Sequence, residues 1–358
     1  MAFGASHREK TMSMFHRWIG MVGVVVALQA QAQDAWQQVT NPPLPSVEVQ
    51  MIKNGLDKGV VWIGTPKGVA SVEGGVLRPM KQTKDLKVWD IFKRPEGGFW
   101  VGHSGGALLV DGERTVQAMK GLNVPAIQMV GTQLWAIAKD ESKDRNTLML
   151  ANGMDWAPEA AFKGRNVLDL VKDAKGTFWL VLDGDGVVEV DPAKPVREAK
   201  QYLSRMQVNS ILTDSQGRTW CGLQNGGVMV RQNNEWKSQM DKERTAVLSM
   251  LEDGSGKIWA ATSGNGIWAS DGKTWKRMLP DSDFVNLMKM TSDKRIWIST
   301  PHHGGLRYWN GDEWKESLNC TDSVHSLVEL PNGVLLAATG QSGIYVLGDF
   351  SIKLPARQ

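Results

Sequence analysis

Along most of the chain, apolar and polar positions follow one short pattern that keeps returning. A turn with Gly or Asp leads into an apolar residue, then Trp, then small or apolar residues. A polar loop and a Gly follow, and a second apolar run begins. The copies read Val61-Trp62-Ile63-Gly64-Thr65, Phe99-Trp100-Val101-Gly102, Leu134-Trp135-Ala136, Phe178-Trp179-Leu180, Thr219-Trp220-Cys221-Gly222, Ile258-Trp259-Ala260-Ala261-Thr262 and Ile296-Trp297-Ile298-Ser299-Thr300. In the last copy, Leu335-Leu336-Ala337-Ala338-Thr339, Leu336 takes the place of Trp. Successive anchors are 38, 35, 44, 41, 39, 38 and 39 residues apart. A period near forty marks a propeller or a solenoid. Short alternating segments cut by Gly and Asn turns favour strands over helix pairs.

Each copy divides into four short strands, which is a propeller blade. In the seventh, strand A is expected over 285–290, strand B over 295–300, strand C over 305–309 and strand D over 313–317, separated by polar turns. A second Trp (Trp236, Trp275, Trp314) follows the first by 16 or 17 residues and opens strand D; Trp156 follows after 21. The fold class is therefore all-β, a propeller of four-stranded blades. Residues 33–358 give about 41 residues per copy for eight blades, whereas seven would need about 47, longer than the observed spacing. Eight is favoured. Ala35-Trp36-Gln37-Gln38-Val39 resembles an orphan strand D able to complete the last blade and shut the ring, leaving Phe350–Leu354 displaced or as an added edge. Closure of some kind is needed, because an open ring exposes sheet edges.

The repeat also predicts its own packing. A blade has two apolar faces and must be covered by its neighbours. A large flat indole at one place in every blade fills the wedge between twisted sheets, burying about 150–250 Å² each. The Gly before strand C (Gly68, Gly106, Gly186, Gly227, Gly266, Gly305, Gly343) suits a hairpin turn with positive φ.

Composition changes this picture little. The 16 Trp and 38 Gly among 358 residues are what the repeat consumes. The start differs. Arg8, Lys10 and Arg17 precede an apolar run from Trp18 to Leu28, and Ala30-Gln31-Ala32 offers a small-x-small site, the form of a secretory signal over 1–32. An uncleaved anchor or a buried helix is the plainer alternative. Removing that segment takes away Arg8, Lys10, Arg17 and Glu9, leaving 38 basic against 37 acidic side chains. This near-balance argues against a nucleic-acid partner, and no later run is apolar enough to span a membrane. Cys221 and Cys320 fall two blades apart and read as free thiols.

Chemistry is sought on the loops. In a propeller the B–C and D–A loops share one face and the A–B turns the other. The A–B turns (Gly97-Gly98, Gln216-Gly217, Ser255-Gly256, Asn332-Gly333) are short and stereotyped. The B–C loops vary, and they carry Lys67, His103, Asp183, Asp185, Asn225, Asn265, His302 and His303, with a long charged segment at Lys139–Asn146. Variable loops on a rigid ring are where binding usually lives. Strand A reads Val-x-small or polar-apolar: Val88-Trp89-Asp90-Ile91, Val167-Leu168-Asp169-Leu170, Val208-Asn209-Ser210-Ile211, Val247-Leu248-Ser249-Met250 and Val324-His325-Ser326-Leu327. Asp90, Asp169 and the serines could line a polar channel mouth, or could simply be small where blades crowd; Trp89, Asn209 and His325 stand beside them. His302-His303 could bind a metal or act as acid and base, but nothing nearby completes a ligand set. Asp183-Gly184-Asp185-Gly186 hints at calcium but lacks further ligands and reads as a turn. No cofactor motif is present: no G-x-S-x-G, no P-loop, and no dinucleotide fingerprint.

The pattern D-x-x-G-x-[IV]-W-[IV]-[GS]-T-x-x-G-[GLV], matched best by Lys58–Val69, Gly254–Ile267 and Ser292–Leu306, resembles the two-component-regulator propeller repeat. That repeat builds extracytoplasmic sensor regions of hybrid histidine kinases. The resemblance covers nearly all of 33–358, but it is a blade-packing motif, specific for fold and poor for function. It implies a propeller without kinase or membrane parts, whose signalling belongs to a partner. Streptogramin lyases, also Trp-bearing propellers, share no motif residue by residue. The expectation is a periplasmic or secreted non-enzymatic propeller that binds a small molecule, an oligosaccharide, a peptide or an envelope protein through its B–C and D–A loops. The alternatives are a lyase or hydrolase using His302 or His303 with a divalent ion, and an envelope docking scaffold.

Overall fold

A computed structural model describes residues 35–39, 44–54, 59–173, 175–240, 244–279, 284–285, 287–300 and 305–349. The 1–32 leader, His302-His303 and Phe350–Leu354 lie outside the described residues, as do Lys58 and 301–304 of two of the motif matches. Among the described residues the strands form eight antiparallel four-stranded sheets. Blades I to VII are continuous in sequence, over 51–79, 88–118, 123–158, 167–202, 208–239, 247–279 and 287–318. Blade VIII takes strands A to C from Val324–Glu329, Leu335–Thr339 and Ile344–Leu347, and its outer strand from Gln37–Gln38. Gln37 pairs with Val346 and Gln38 with Tyr345. Val39 N–H donates to the Ile344 carbonyl at 2.8 Å. The orphan strand closes the ring, and eight is the blade number. In blade VII the strands are Leu287–Met290, Ile296–Ser299, Leu306–Trp309 and Trp314–Leu318, within a residue or two of the sequence reading.

The core is not one mass but eight apolar layers, each shared by two consecutive blades. Each strand-B Trp lies in the layer toward the following blade: Trp220 packs with Val247 and Met250, and Trp297 with Val324 and Leu327. Trp100, Trp179, Trp220, Trp259 and Trp297 are almost wholly buried. Three strand-D indoles meet them edge-on from the next blade, whereas Trp236 lies tilted at 53° against Tyr202 of the blade before, 5.9 Å away. Trp156 lies 5.5 Å from Trp100, Trp275 6.3 Å from Trp220, and Trp314 6.3 Å from Trp259, all near perpendicular. Trp36, before the closing strand, stands 5.9 Å from Trp297 at 87°. The last layer joins Val328, Leu336 and Ile344 of blade VIII to Ile52, Val61 and Ile63 of blade I, so the ring is sealed by side chains as well as by backbone.

Two strand-C glycines show why the position is fixed. Gly186 and Gly305 have φ of 72° and 62°. A Cβ on either would collide with backbone carbonyls, Tyr202 and Leu203 in one case and Leu318 in the other. Cys221 is buried and Cys320 half-buried, and both are free thiols, as their placement two blades apart predicts. Among the described residues no helix is long and apolar enough to cross a membrane.

Candidate functional site

The two faces of the disc use their polar side chains differently. On the A–B face they hold the fold. Asp173, Asp214 and Asp253 each sit six residues before a strand-B Trp and accept its indole N–H, at 3.1, 2.7 and 2.8 Å. The other carboxylate oxygen caps the turn: Asp253 accepts from Ser255 N–H at 2.8 Å and Lys257 N–H at 3.1 Å. In blade VII Thr291 Oγ1 takes the role toward Trp297 at 3.0 Å. The D-x-x-G-x-x-W signature is thus a turn that carries the acceptor for its own core indole. Neighbouring turns are also stitched together, as where Ser215 Oγ donates to Glu252 at 2.6 Å.

The B–C and D–A face begins with an irregularity in strand A. In six blades the register slips by one residue just inside the strand; in blade III the slip falls between Asn123 and Ala126, and in the other five it skips Trp89, Leu168, Asn209, Leu248 and His325. Each of these five is an extra residue of a bulge, a device that re-aims a side chain. Here they stand at the start of the innermost strands, around the mouth of the channel. Leu168 and His325 are exposed, and Trp89, Asn209 and Leu248 are half-buried. Of the five exposed large apolar residues among the described ones, Val47, Leu168, Met206 and Phe284 are on this face; Met154, in a C–D turn, is on the other. The indole N–H of Trp89 is buried without an acceptor, and the Lys87 ammonium lies 4.5 Å above its ring.

The sequence candidates divide accordingly. Asp90 is a strut. Its carboxylate is paired with Lys53 of blade I and accepts the Ile127 N–H of blade III at 2.9 Å and its neighbour Ile91 N–H at 2.8 Å. Burial pushes its carboxyl above the ordinary range, against the lowering by Lys53 and the two N–H groups. Asp169, at the same register, is different. It is exposed to water yet crowded by protein atoms, which raises its carboxyl, and its one bond is from Leu170 N–H at 2.7 Å. Ser210 of this column is tightly packed: a Cβ on Gly222 would collide with its Oγ and with the Val247 side chain. His103 is buried inside its own blade, accepting from Gly105 N–H at 3.1 Å, with Nε2 3.1 Å from the Gln117 amide; burial lowers its affinity for a proton. It is a structural imidazole. Lys67 and Asn225 are exposed, Asn265 is half-buried and its carbonyl accepts from Trp268 and Arg277, and Asn209 Nδ2 donates to Gln224 at 2.8 Å.

Asp183 and Asp185 share an open cleft of about 420 Å³ between blades III and IV, with Lys143, Arg145, Arg165 and Asn166. Asp183 accepts from Asn166 at 3.0 Å and Asp185 from Arg165 at 2.7 Å. Burial alone would raise the Asp185 carboxyl, but Arg165 and Gln201 hold it below its ordinary value. These carboxylates face side-chain donors, which is the arrangement of a pinned turn. Among the described residues no three His, Cys, Asp or Glu gather at one point. The segment Lys139–Asn146 is less of a loop than its charge suggests. Strands B and C of blade III are eight residues each, Gln133–Asp140 and Arg145–Asn152, and only 141–144 turn. The residues missed by sequence are Leu168 and Leu248. They occupy the same bulge column as Trp89, Asn209 and His325, so the aligned strand-A pattern held the signal. It lay in the variable position rather than in the polar one.

No protein-family model matches the chain, and no curated protein matches it. Solved structures of similar fold include the Dos1 propeller, at 10% identity, covering 90% of this chain and 97% of that one with a TM-score of 0.63. A streptogramin B lyase is 12% identical over 88% of this chain and 97% of its own, with a TM-score of 0.54. The extracellular domain of BT4673 from B. thetaiotaomicron, assigned to a hybrid two-component system, is 13% identical over 86% of this chain with a TM-score of 0.50. This chain spans about half, 51%, of that domain. The sensor-type resemblance therefore holds at the level of the propeller fold, which this likeness shares with a lyase.

Proposed function

We propose that this chain is a binding propeller that acts outside the cytoplasm, its 1–32 segment serving as a secretory leader. It recognises a ligand or a partner protein through the face of B–C and D–A loops. The observation that carries this reading is the set of strand-A bulges, which re-aim Trp89, Leu168, Asn209, Leu248 and His325 at one mouth. The mixture of exposed apolar and hydrogen-bonding side chains there suits a ligand or peptide better than bare solvent. On the opposite face the turn carboxylates are engaged with core indoles. A sensor-type extracellular domain among the similar folds agrees with this role.

The test is a thermal-shift screen of oligosaccharides and peptides. A ligand held at a hundred times its Kd stabilises the fold by about 2.7 kcal/mol. That shift is expected for the parent and lost when Leu168→Ser, Asn225→Ala and His325→Ala, all at exposed positions, are combined. A hit that the triple variant retains would overturn the assignment of the face. Turnover of a panel compound that His303→Ala abolishes would replace binding by the lyase or hydrolase alternative.

A further inference from the structure

Blade IV breaks the repeat on the other side of the disc. Its strands C and D, Val187–Val190 and Lys200–Tyr202, are joined by nine residues that include a short 3-10 turn, Val196–Glu198. The other described C–D connections are tight turns of two to four residues, such as 153–154 and 233–234. Insertions in single repeats often mark a binding face. The long connection leans on blade III, where Gly131 is approached so closely by the Pro192 carbonyl that a Cβ would lie 2.9 Å from it. Two clefts flank it, of about 470 and 350 Å³, and both are bordered by Pro192, Lys194 and Pro195. A third, of about 260 Å³, shares Lys175, Glu189 and Arg231 with the 470 Å³ cleft and extends the hollow toward blade V.

The charges of this hollow are unevenly matched. Arg231 is fixed: it donates to Glu189 at 2.9 Å and to Asn234 at 2.9 Å and lies 4.4 Å from the Tyr202 ring centre. Tyr202 OH also donates to Glu189, at 3.0 Å. Lys194 pairs with Asp191 at 3.2 Å. Lys175 and Lys200 line the same cleft from different elements, and among the described residues neither ammonium has a carboxylate partner. The carboxylates that could satisfy them are engaged elsewhere, except Glu198. No aromatic ring borders the 470 Å³ cleft that holds both lysines, so a sugar ring would find no flat face to stack on at that point; Trp135 and Trp179 border the two clefts beside it.

We propose that the hollow around the blade IV connection is a second binding surface, separate from the channel mouth, that takes an extended acidic peptide segment. Its carboxylates would replace the missing partners of Lys175 and Lys200, while Pro192 and Pro195 contact the aliphatic parts of the chain. The site is independent of the mouth, so either can fail without the other.

Fluorescence polarisation with a labelled hexaglutamate peptide tests it. Binding is expected at low salt, weakening as salt screens the exposed pairs. Combining Lys175→Gln with Lys200→Gln should weaken it about 5-fold, the scale of two exposed ion pairs. Lys276→Gln, at an exposed lysine on the outer strand of blade VI, should leave it unchanged. Both lysines of the double variant are exposed, so its melting curve should overlay the parent. Absence of hexaglutamate binding, equal binding by the double variant, an equal loss in Lys276→Gln, or tighter binding of oligogalacturonate than of the peptide would each overturn the proposal.

Discussion

Blades VI and VIII have the same four strands but are assembled differently. Blade VI is one continuous run, 247–279, in which Asp253 holds the indole of Trp259 and Trp275 lies edge-on against Trp220 of the blade before. Blade VIII lacks the inner indole. Leu336 replaces it, and the position six residues earlier, where an acceptor would stand, is Leu330. The outer indole is kept, although it comes from the far end of the sequence. Trp36 meets Trp297 as Trp275 meets Trp220, and its N–H donates to Ser317 as that of Trp275 donates to Gln239, at 2.9 and 3.2 Å. In blade VI the inner indole and its turn carboxylate form one bonded unit, as they do at Trp179 and Trp220, and blade VIII has neither half of it; at Trp62, Trp100, Trp135 and Trp297 the indole is kept without an Asp six residues earlier. The outer indole belongs to the contact between blades, whatever the route of the chain.

The comparison breaks most severely if the borrowed strand is removed. Deleting 35–39 takes away a near-perpendicular Trp pair and leaves the Ile344–Leu347 edge unpaired, so the loss should exceed the about 3–5 kcal/mol of a single buried Trp. Chemical denaturation checks it; an unchanged midpoint would mean that the seam contributes nothing to the ring. Next in size is Trp259→Ala, expected to cost about 3–5 kcal/mol. Converting the pair to the blade VIII form, Asp253→Leu with Trp259→Leu, should cost less than the sum of the two single changes, because each single change strands a partner of the other. Strict additivity would refute the idea of a unit.

The smallest effect is one of pH. Burial would raise the Asp253 carboxyl, but the Trp259 indole N–H and the Ser255 and Lys257 donors outweigh it and hold it below its ordinary value. A depressed carboxyl stabilises the fold above the unfolded value of about 3.9 and loses that contribution as pH falls through the folded one. Thr291 does the same work for Trp297 without a charge. Acid denaturation of Asp253→Asn should therefore show a shallower loss of stability below about pH 4 than the parent, while Thr291→Val should lower stability equally at pH 4 and pH 7. Parallel curves for the parent and Asp253→Asn would remove the carboxylate from the account.

The fold was legible because its decisive signals are local and repeated: an indole every forty residues, a Gly that only positive φ explains, and an orphan strand with its own Trp. The candidate site was legible only in part. Asp183 and Asp185, which the loops put forward, border one cleft between blades III and IV, but His103 and Asp90 look equally chemical in sequence and are spent on packing and on struts between blades. That difference depends on bonds between residues tens of positions apart, such as Asp90 with Lys53 and Ile127. The mouth residues Leu168 and Leu248 were passed over because an isolated leucine reads as core. It is the register slip in strand A, a property of pairing, that turns them outward.

Because Gln37–Gln38 is the outer strand of blade VIII and Ile344–Leu347 is its direct neighbour, Ala35 and Asp349 lie at one corner of the disc, on the A–B side. The described chain thus enters and leaves the ring at a single corner of the blade diametrically across from blade IV, which sets the blade IV hollow at the farthest remove around the disc from that corner.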